Sequence, residues 1–292
     1  MIKCFVCNSK KFEIIWNDKI RISPRKFSKR RKKILQCQNC NLVRLEKITD
    51  KLEASSVVRK IFNRDNTVSE HIRFHGPRES RKFHSFKNYT NFNNKSVLEH
   101  SCGSGVILNL LKNKTKKTTG LDNKTYKNYV INQGHDYYTD INDIIKEKKK
   151  FDIITSMAEF EHKYDPKKFL INLKKILSKK GKILIRIPNF YNIYYFLMGK
   201  NFLRHDYRSS HNFYFSEKNL DILFNKVGFK VIKKIGLNEF DFNHVLTSIY
   251  FQDRVRDKQI KKFFPKKIDT FTNKCMENSL VSSSLLYILK FK

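Results

Sequence analysis

No stretch of this sequence approaches the roughly 20 consecutive apolar residues that a membrane-spanning helix needs. The richest, Tyr191 to Met198, is far too short. The opening residues, Met1-Ile2-Lys3-Cys4, lack the pattern of a signal peptide. A soluble cytoplasmic protein is therefore expected. Acidic residues are also scarce. Sixty-one lysines and arginines face 27 aspartates and glutamates, a formal net charge of +34 at pH 7. Such an excess points to anionic partners: RNA, phosphorylated small molecules or anionic polysaccharide precursors. A second reading stays open beside it. The lysines are spread along most of the chain among many Asn, Ile and Phe, as the codon bias of a low-GC genome would produce. Only Arg25 to Lys33 forms a true basic cluster. What the chain does not lack is core. Of its 292 residues 40% are hydrophobic, enough for one large domain and a small one.

Four of the six cysteines fall into two Cys-x-x-Cys pairs, Cys4/Cys7 and Cys37/Cys40, with 29 residues between the pairs. Each pair sits on a tight turn that aims both sulfurs the same way. Together they can supply four thiolates to one zinc ion. Disulfides do not suit a cytoplasmic chain. A redox pair would open the helix of a βαβ unit, and neither pair does. Four thiolates leave no open position on the metal, so its expected role is to fold a segment whose own core is too small. The basic cluster lies on the loop between the pairs.

Residues 49–95 read as a polar helical linker. Asp50 to Phe62 places Leu52, Val57, Val58 and Ile61 near one face, and Pro77 is positioned to open a second helix carrying Phe83, Phe86 and Tyr89. His71, His75 and His84 cluster here, as surface bystanders rather than as a second metal site.

Residues 96–105 read as strand, small-residue turn and helix start: Val97-Leu98-Glu99, then Ser101-Cys102-Gly103-Ser104-Gly105, then Val106 onward. Glycines in such a turn let the backbone approach a ligand closely. It is not a dinucleotide fingerprint, because Leu108 occupies the third glycine position. Strand and helix then alternate, as in a doubly wound parallel sheet. Thr118 to Asp122 is a strand ending in an acid, and Tyr137 to Asp140 is another. An acid at the first of these ends can accept from ribose hydroxyls or cap the next helix. Phe151 to Thr155 reads as a buried strand. Asp165-Pro166 starts a helix. Lys182 to Ile187 is a fifth strand, and Ser216 caps a helix that Gly228 ends before a sixth strand, Phe229 to Ile232.

The order of these motifs resembles the class I S-adenosylmethionine (SAM)-dependent methyltransferases. The motifs are V-L-E…C-G-S-G, G-L-D, F-D-I-I…F-E-H-x-x-D-P, K-I-L-I-R-I-P-N and H-x-F-Y-F-S. More narrowly, the chain is similar to a bacterial group with a zinc-binding Cys-x-x-Cys pair before the catalytic domain. The resemblance covers residues 1–48 and 96–236. It implies an α/β fold, a Rossmann-like seven-stranded sheet whose last strand is antiparallel, preceded by a zinc-ribbon-like segment. The implied division is 1–48 for that segment, 49–95 for the linker and 96–292 for the methyltransferase domain. Ser284 to Phe291 is expected to supply the last strand, with His244–Phe251 as rival, and residues 244–264 an intervening helix. By the resemblance Ser101, Gly103 and Gly105 line the methionine end of SAM and Glu99 supports that loop. Asp122 holds the ribose, Asp140 and Ile141 flank the adenine, and Ser156 and Met157 face the reacting methyl. His162 and His211 are the candidate bases. Tyr207, Asp206 and Tyr191–Phe196 lie where an acceptor lid forms. Cys4, Cys7, Cys37 and Cys40 are the zinc ligands.

The leading expectation is transfer to a small-molecule acceptor, such as a nucleotide-linked sugar or polysaccharide precursor. One alternative is an RNA methyltransferase reading through the basic zinc segment, although the sequence lacks the Asn/Asp-Pro-Pro-Tyr/Phe box of base-amino methylases. The other is a non-catalytic binding protein that keeps the fold.

Overall fold

The computed structural model describes residues 2–23, 26–48, 67–251 and 260–292. The N-terminal segment is a set of hairpins: β1 (Phe12–Asp18), β2 (Arg21–Ser23), β3 (Lys26–Phe27), β4 (Lys32–Cys37) and β5 (Val43–Leu45). β4 is the middle of a three-strand antiparallel ribbon, with Phe12 opposite Cys37 on β1 and Gln36 opposite Val43 on β5. The described part of the basic cluster divides: Lys26 lies in β3 and Lys32 and Lys33 in β4, while Lys29, Arg30 and Arg31 form the exposed bend between those strands. The helix expected over Asp50–Phe62 lies outside the described residues.

Helix α1 (Val68–Phe86) starts well before Pro77, which lies inside it. The expectation that Pro77 opens the helix is corrected by a stronger start signal upstream. The Thr67 hydroxyl accepts from the Glu70 amide and the Glu70 carboxylate accepts from the Thr67 amide, both at 3.2 Å. This capping box offsets part of the roughly 3 kcal/mol that an interior proline costs. Phe83 and Phe86 anchor the far end against Phe92, Val97, Ile107 and Leu111.

The α/β alternation then runs β6 (Ser96–His100), α2 (Val106–Leu111), β7 (Lys117–Leu121), α3 (Lys127–Asn132), β8 (Asp136–Tyr138), α4 (Ile141–Lys146), β9 (Phe151–Met157), α5 (Pro166–Ile176) and β10 (Leu177–Pro188). Two helices, α6 (Ile193–Met198) and α7 (Lys200–Asp206), precede β11 (Phe213–Tyr214), α8 (Glu217–Val227) and β12 (Phe229–Leu237). The chain ends with α9 (Phe242–Tyr250), α10 (Lys266–Asn278) and β13 (Ser284–Phe291). The sheet order is β12-β13-β10-β9-β6-β7-β8. β13 inserts antiparallel between β10 and β12, with Tyr287 opposite Ile185 on one side and Lys234 on the other. The terminal run is thus the last strand, and the rival segment His244–Phe251 is helical up to Tyr250.

The single helix expected over 244–264 is replaced by α9, a return segment and the separate helix α10. A buried asparagine explains the break. The Asn243 side-chain oxygen accepts from the amides of Phe263 (2.8 Å) and Phe264 (3.0 Å), and the Thr247 hydroxyl accepts from the Lys261 amide at 2.9 Å. Residues 261–264 therefore lie back against α9.

β11 pairs with β5, setting Phe213 opposite Arg44 and Tyr214 opposite Val43. One core runs through both parts, with Cys4, Cys37, Cys40 and Leu42 in the same cluster as Phe160, Phe213, Phe215 and Tyr287. Among the described residues no helix is long and apolar enough to cross a membrane.

Candidate active site and cysteine cluster

The turn after β6 bends through three left-handed residues, Ser101 (φ +60°), Gly103 (φ +52°) and Gly105 (φ +74°). Ser101 stands in a conformation glycine adopts at less cost. It is held there because its amide donates to the Leu121 carbonyl at 2.7 Å. A methyl on Gly103 would meet the His71 ring at 3.2 Å, so α1 presses directly on the turn. Another close approach lies beneath it. A Cβ on Gly120, in the middle of β7, would sit 2.6 Å from the Cys102 sulfur. A glycine inside a strand was the available sequence signal for this packing.

Asp122 follows β7 and ties the first two loops together. One carboxylate oxygen accepts from the Gly103 amide at 2.8 Å, and the other from the Asn123 amide at 2.7 Å. Asp140 follows β8 and caps α4 by accepting from the Asn142 amide at 2.9 Å. These loops open into a cavity of about 660 Å³ at the carboxyl ends of the parallel strands. Glu99, Ser101, Gly103, Asp122, Asp140, Ile141 and Met157 all line it, as do His162 and His211. Gly105 and Ser156 do not. Gly105 caps the start of α2, where an added Cβ would meet Val130 at 3.4 Å, and Ser156 is fully buried, its hydroxyl without a hydrogen-bond partner among the described residues. Strand alternation decides this: Met157 faces the cavity, so Ser156 turns to the other face.

The far end of the cavity holds a cluster of proton-exchanging groups. His162 and His211 stack edge to face with centroids 4.8 Å apart. Both Nε2 atoms approach one oxygen of Glu161, at 3.8 and 3.9 Å. The other Glu161 oxygen is buried with no partner among the described residues. His162 Nδ1 bonds the Ser210 carbonyl. A carbonyl only accepts, so Nδ1 carries a proton, and Nε2 is the acceptor of the neutral ring. Burial, with Arg208 and His162 close by, pushes the His211 pKa well below its ordinary value, and burial raises that of Glu161. The expected lid residues divide. Tyr207 is wholly buried in an aromatic core with Trp16 and Tyr214, while Asp206 and Tyr194 reach the cavity.

Sequence reasoning expected a helix at α1 but took its histidines for surface bystanders. His71, His75 and Arg78 line the cavity, and the His71 ring meets the Ser104 hydroxyl at 3.0 Å. Two histidines and an arginine at helical spacing were visible, but which face met the turn depended on how α1 packs. His84 is separate and bonds the Ser80 carbonyl.

Glu99 is buried at 3% exposure. Burial, reinforced by Glu79, raises its pKa well above the ordinary 4.5, with Lys82 and the Leu108 amide opposing. A carboxyl that favours its proton in the folded chain contributes stability below its unfolded pKa, and that contribution is lost as pH rises through the folded value. Glu99→Gln is therefore expected to raise Tm at pH 8, by about 2–4 °C for each kcal/mol of ionisation cost removed. The gain should vanish below about pH 4.3, where the unfolded carboxyl also keeps its proton. Melting curves across pH 4–8 would check it, and a gain that persists undiminished at pH 4 would contradict it.

At the other end of the molecule the four expected sulfurs converge to within 4.8 Å of one another. Cys4 and Cys40 are 3.6 Å apart and Cys7 and Cys37 3.5 Å, far beyond a disulfide bond and close to the edge of about 3.8 Å for a tetrahedron of thiolates around zinc. The two knuckles match. Asn8 (φ +64°) and Asn41 (φ +59°) each follow the second cysteine in the left-handed region, and each amide returns to the first cysteine's carbonyl, at 2.8 and 2.9 Å. The repeated Cys-x-x-Cys-Asn was readable in the sequence, since asparagine tolerates that conformation. The Cys40 thiol, hydrogen-bonding Cys4, draws the Cys4 pKa down to about 5. This donor set suits a soft divalent metal.

Residues 69–234 match the family model for a methyltransferase domain. The chain belongs to the class I SAM-dependent methyltransferases. Two solved structures show the same fold. One is a chain of the complex between the Haloferax volcanii Trm112 methyltransferase activator and a methyltransferase, with TM-score 0.51 and 16% identity over 73% of this chain and 91% of that one. The other is a SAM-dependent methyltransferase from Thermotoga maritima, with TM-score 0.50 and 15% identity over 77% and 94%. Curated proteins give no match. In this methyltransferase the turn, Asp122, Asp140 and the Glu161–His162–His211 cluster all line the same cavity.

Proposed function

We propose that this methyltransferase acts on an anionic small molecule, of the class of nucleotide-linked sugars or polysaccharide precursors, and that its four N-terminal cysteines hold a structural zinc ion. The observation that carries the acceptor class is the roof of the cavity. Side chains of α6, α7 and α9 (Tyr194, Met198, Phe202 and Ser248) cover it, and Arg78 and Arg208 line it. A roofed cavity suits a compact acceptor better than a polynucleotide, which takes an open groove, and Arg78 and Arg208, each beside a lining carboxylate (Glu239 at 3.7 Å, Asp206 at 3.3 Å), are where its anionic group would sit.

Bound SAM supplies a methyl group on a sulfonium sulfur that leaves as a neutral thioether. The chain supplies alignment and proton traffic. The backbone at Ser101 and Gly103 forms the methionine end, with Gly105 setting the turn. Glu99 underlies that turn. Asp122 accepts from the ribose hydroxyls, and Asp140 with Ile141 flanks the adenine. Met157 borders the methyl. Ser156, on the opposite face, has no direct part. His162 Nε2 would take the proton of an acceptor hydroxyl as that oxygen receives the methyl group. His211, held neutral by burial, leaves His162 as the base of the pair. Zinc bound by four thiolates has no open position and only holds the ribbon.

Calorimetry with SAM and S-adenosylhomocysteine, followed by a homocysteine-release assay over nucleotide sugars and RNA, tests this reading. Micromolar binding and release dependent on a nucleotide sugar are expected. His162→Gln should lower kcat by about 10²–10⁴ while leaving S-adenosylhomocysteine affinity within about twofold. Release that depends on RNA alone would move the activity to the polynucleotide class. No binding of either cofactor form by folded protein would reduce the chain to a non-catalytic relative.

A further inference from the structure

The methyltransferase reading leaves unused an exposed stretch on the C-terminal side of the molecule. Residues 261–268, Lys-Lys-Phe-Phe-Pro-Lys-Lys-Ile, are all exposed. Tyr250 and Phe251, at 61% and 47% exposure, lie beside them, and Phe271 of α10 is 70% exposed. The parts are contiguous. The Tyr250 ring is 6.2 Å from that of Phe263, the Lys261 ammonium lies 3.8 Å over Tyr250, and Phe264 stacks on Phe242. Ile268 and Phe271 continue the apolar face onto α10, whose opposite face buries Asp269 and Met276.

We infer that this surface docks onto an anionic lipid bilayer. Aromatic and aliphatic side chains interleaved with lysines suit the interface, where rings enter the headgroup region and ammonium groups stay among the phosphates. Charge selects the occupant. A second copy meeting the patch symmetrically would set Lys261, Lys262, Lys266 and Lys267 against the same four lysines. A polynucleotide would find phosphate contacts and rings to stack on, but it would leave the aliphatic part of the patch, Pro265 and Ile268, uncovered. A bilayer satisfies both components together. The surface also adjoins the cavity through α9, where Ser248 lines the cavity and Tyr250 and Phe251 lie two and three residues further on. This inference does not depend on the acceptor proposed above.

Co-sedimentation of the full chain tests it, using vesicles of pure phosphatidylcholine and vesicles with about 30% phosphatidylglycerol. Binding is expected only to the anionic vesicles. Two variants, K261Q/K262Q/K266Q/K267Q and F263S/I268S/F271S, should each lower the bound fraction by about fivefold or more. K29Q/R30Q/R31Q/K32Q/K33Q, in the ribbon hairpin, should change it by less than about twofold. All positions are on the surface, and unchanged thermal melts will show that the variants fold. Equal binding to both vesicle types, binding abolished only by the hairpin variant, or binding indifferent to both patch variants would overturn the inference. So would vesicle binding at background level, whether or not the patch variants abolish oligonucleotide binding or concentration-dependent dimerisation.

Discussion

Asp122→Ala is expected to weaken S-adenosylhomocysteine binding by about a hundredfold or more. Under the proposed placement, two hydrogen bonds from ribose hydroxyls to an ionised carboxylate are lost, each contributing about 1.5–3 kcal/mol. The same carboxylate holds the Gly103 amide at 2.8 Å and the Asn123 amide at 2.7 Å, so its removal also loosens the turn before any ligand arrives. Asp122→Asn keeps an acceptor oxygen without the charge and should fall between, near tenfold. Calorimetric titration of the three proteins decides the matter. A loss below about threefold in the alanine variant would show that Asp122 is only a loop tie and that the ribose is held elsewhere.

The second large effect belongs to the cysteines. Cys40→Ala is expected to reduce zinc from about one per chain to well below half and to destabilise the protein by several kcal/mol, since binding at a structural site is folding free energy. The loss cannot stay local, because Cys4, Cys37 and Cys40 share a core cluster with Phe213 and Phe215. Hydrogen exchange should therefore quicken both in residues 2–48 and in β11. His211 stands two residues before β11 and bonds through its amide to the Arg208 carbonyl. Chelation should consequently reduce acceptor-dependent turnover much more than S-adenosylhomocysteine affinity. Exchange confined to the N-terminal residues, with turnover intact, would separate the two parts. Full stability and activity without zinc would remove the metal from the account.

Much of this was legible from local chemistry. Val97-Leu98-Glu99 followed by small residues forces strand, turn and helix, because little else can follow an apolar run with left-handed positions. The Cys-x-x-Cys pairs announced themselves by spacing, although the turn-closing asparagines at 8 and 41 went unread. The antiparallel insertion of Ser284–Phe291 was anticipated from the family's order of strands, since no local signal distinguishes a parallel from an antiparallel neighbour. The long helix expected over 244–264 fails on a contact no periodicity encodes, the bonds from Asn243 to the amides of Phe263 and Phe264.

The sequence by itself determined the elements, their order and the chemistry available in each loop. Backbone propensity, apolar period and turn residues act over a few positions, so a short window carries them. Only the tertiary structure decided which of those groups meet. The pairing of β5 with β11 joined the ribbon to the catalytic domain, and the packing of α1 on Gly103 brought His71 into the cavity. Burial did the rest. Glu99, Glu161 and His211 have ordinary side chains in the sequence, and their protonation is set by desolvation and by neighbours from distant elements, which no local reading supplies.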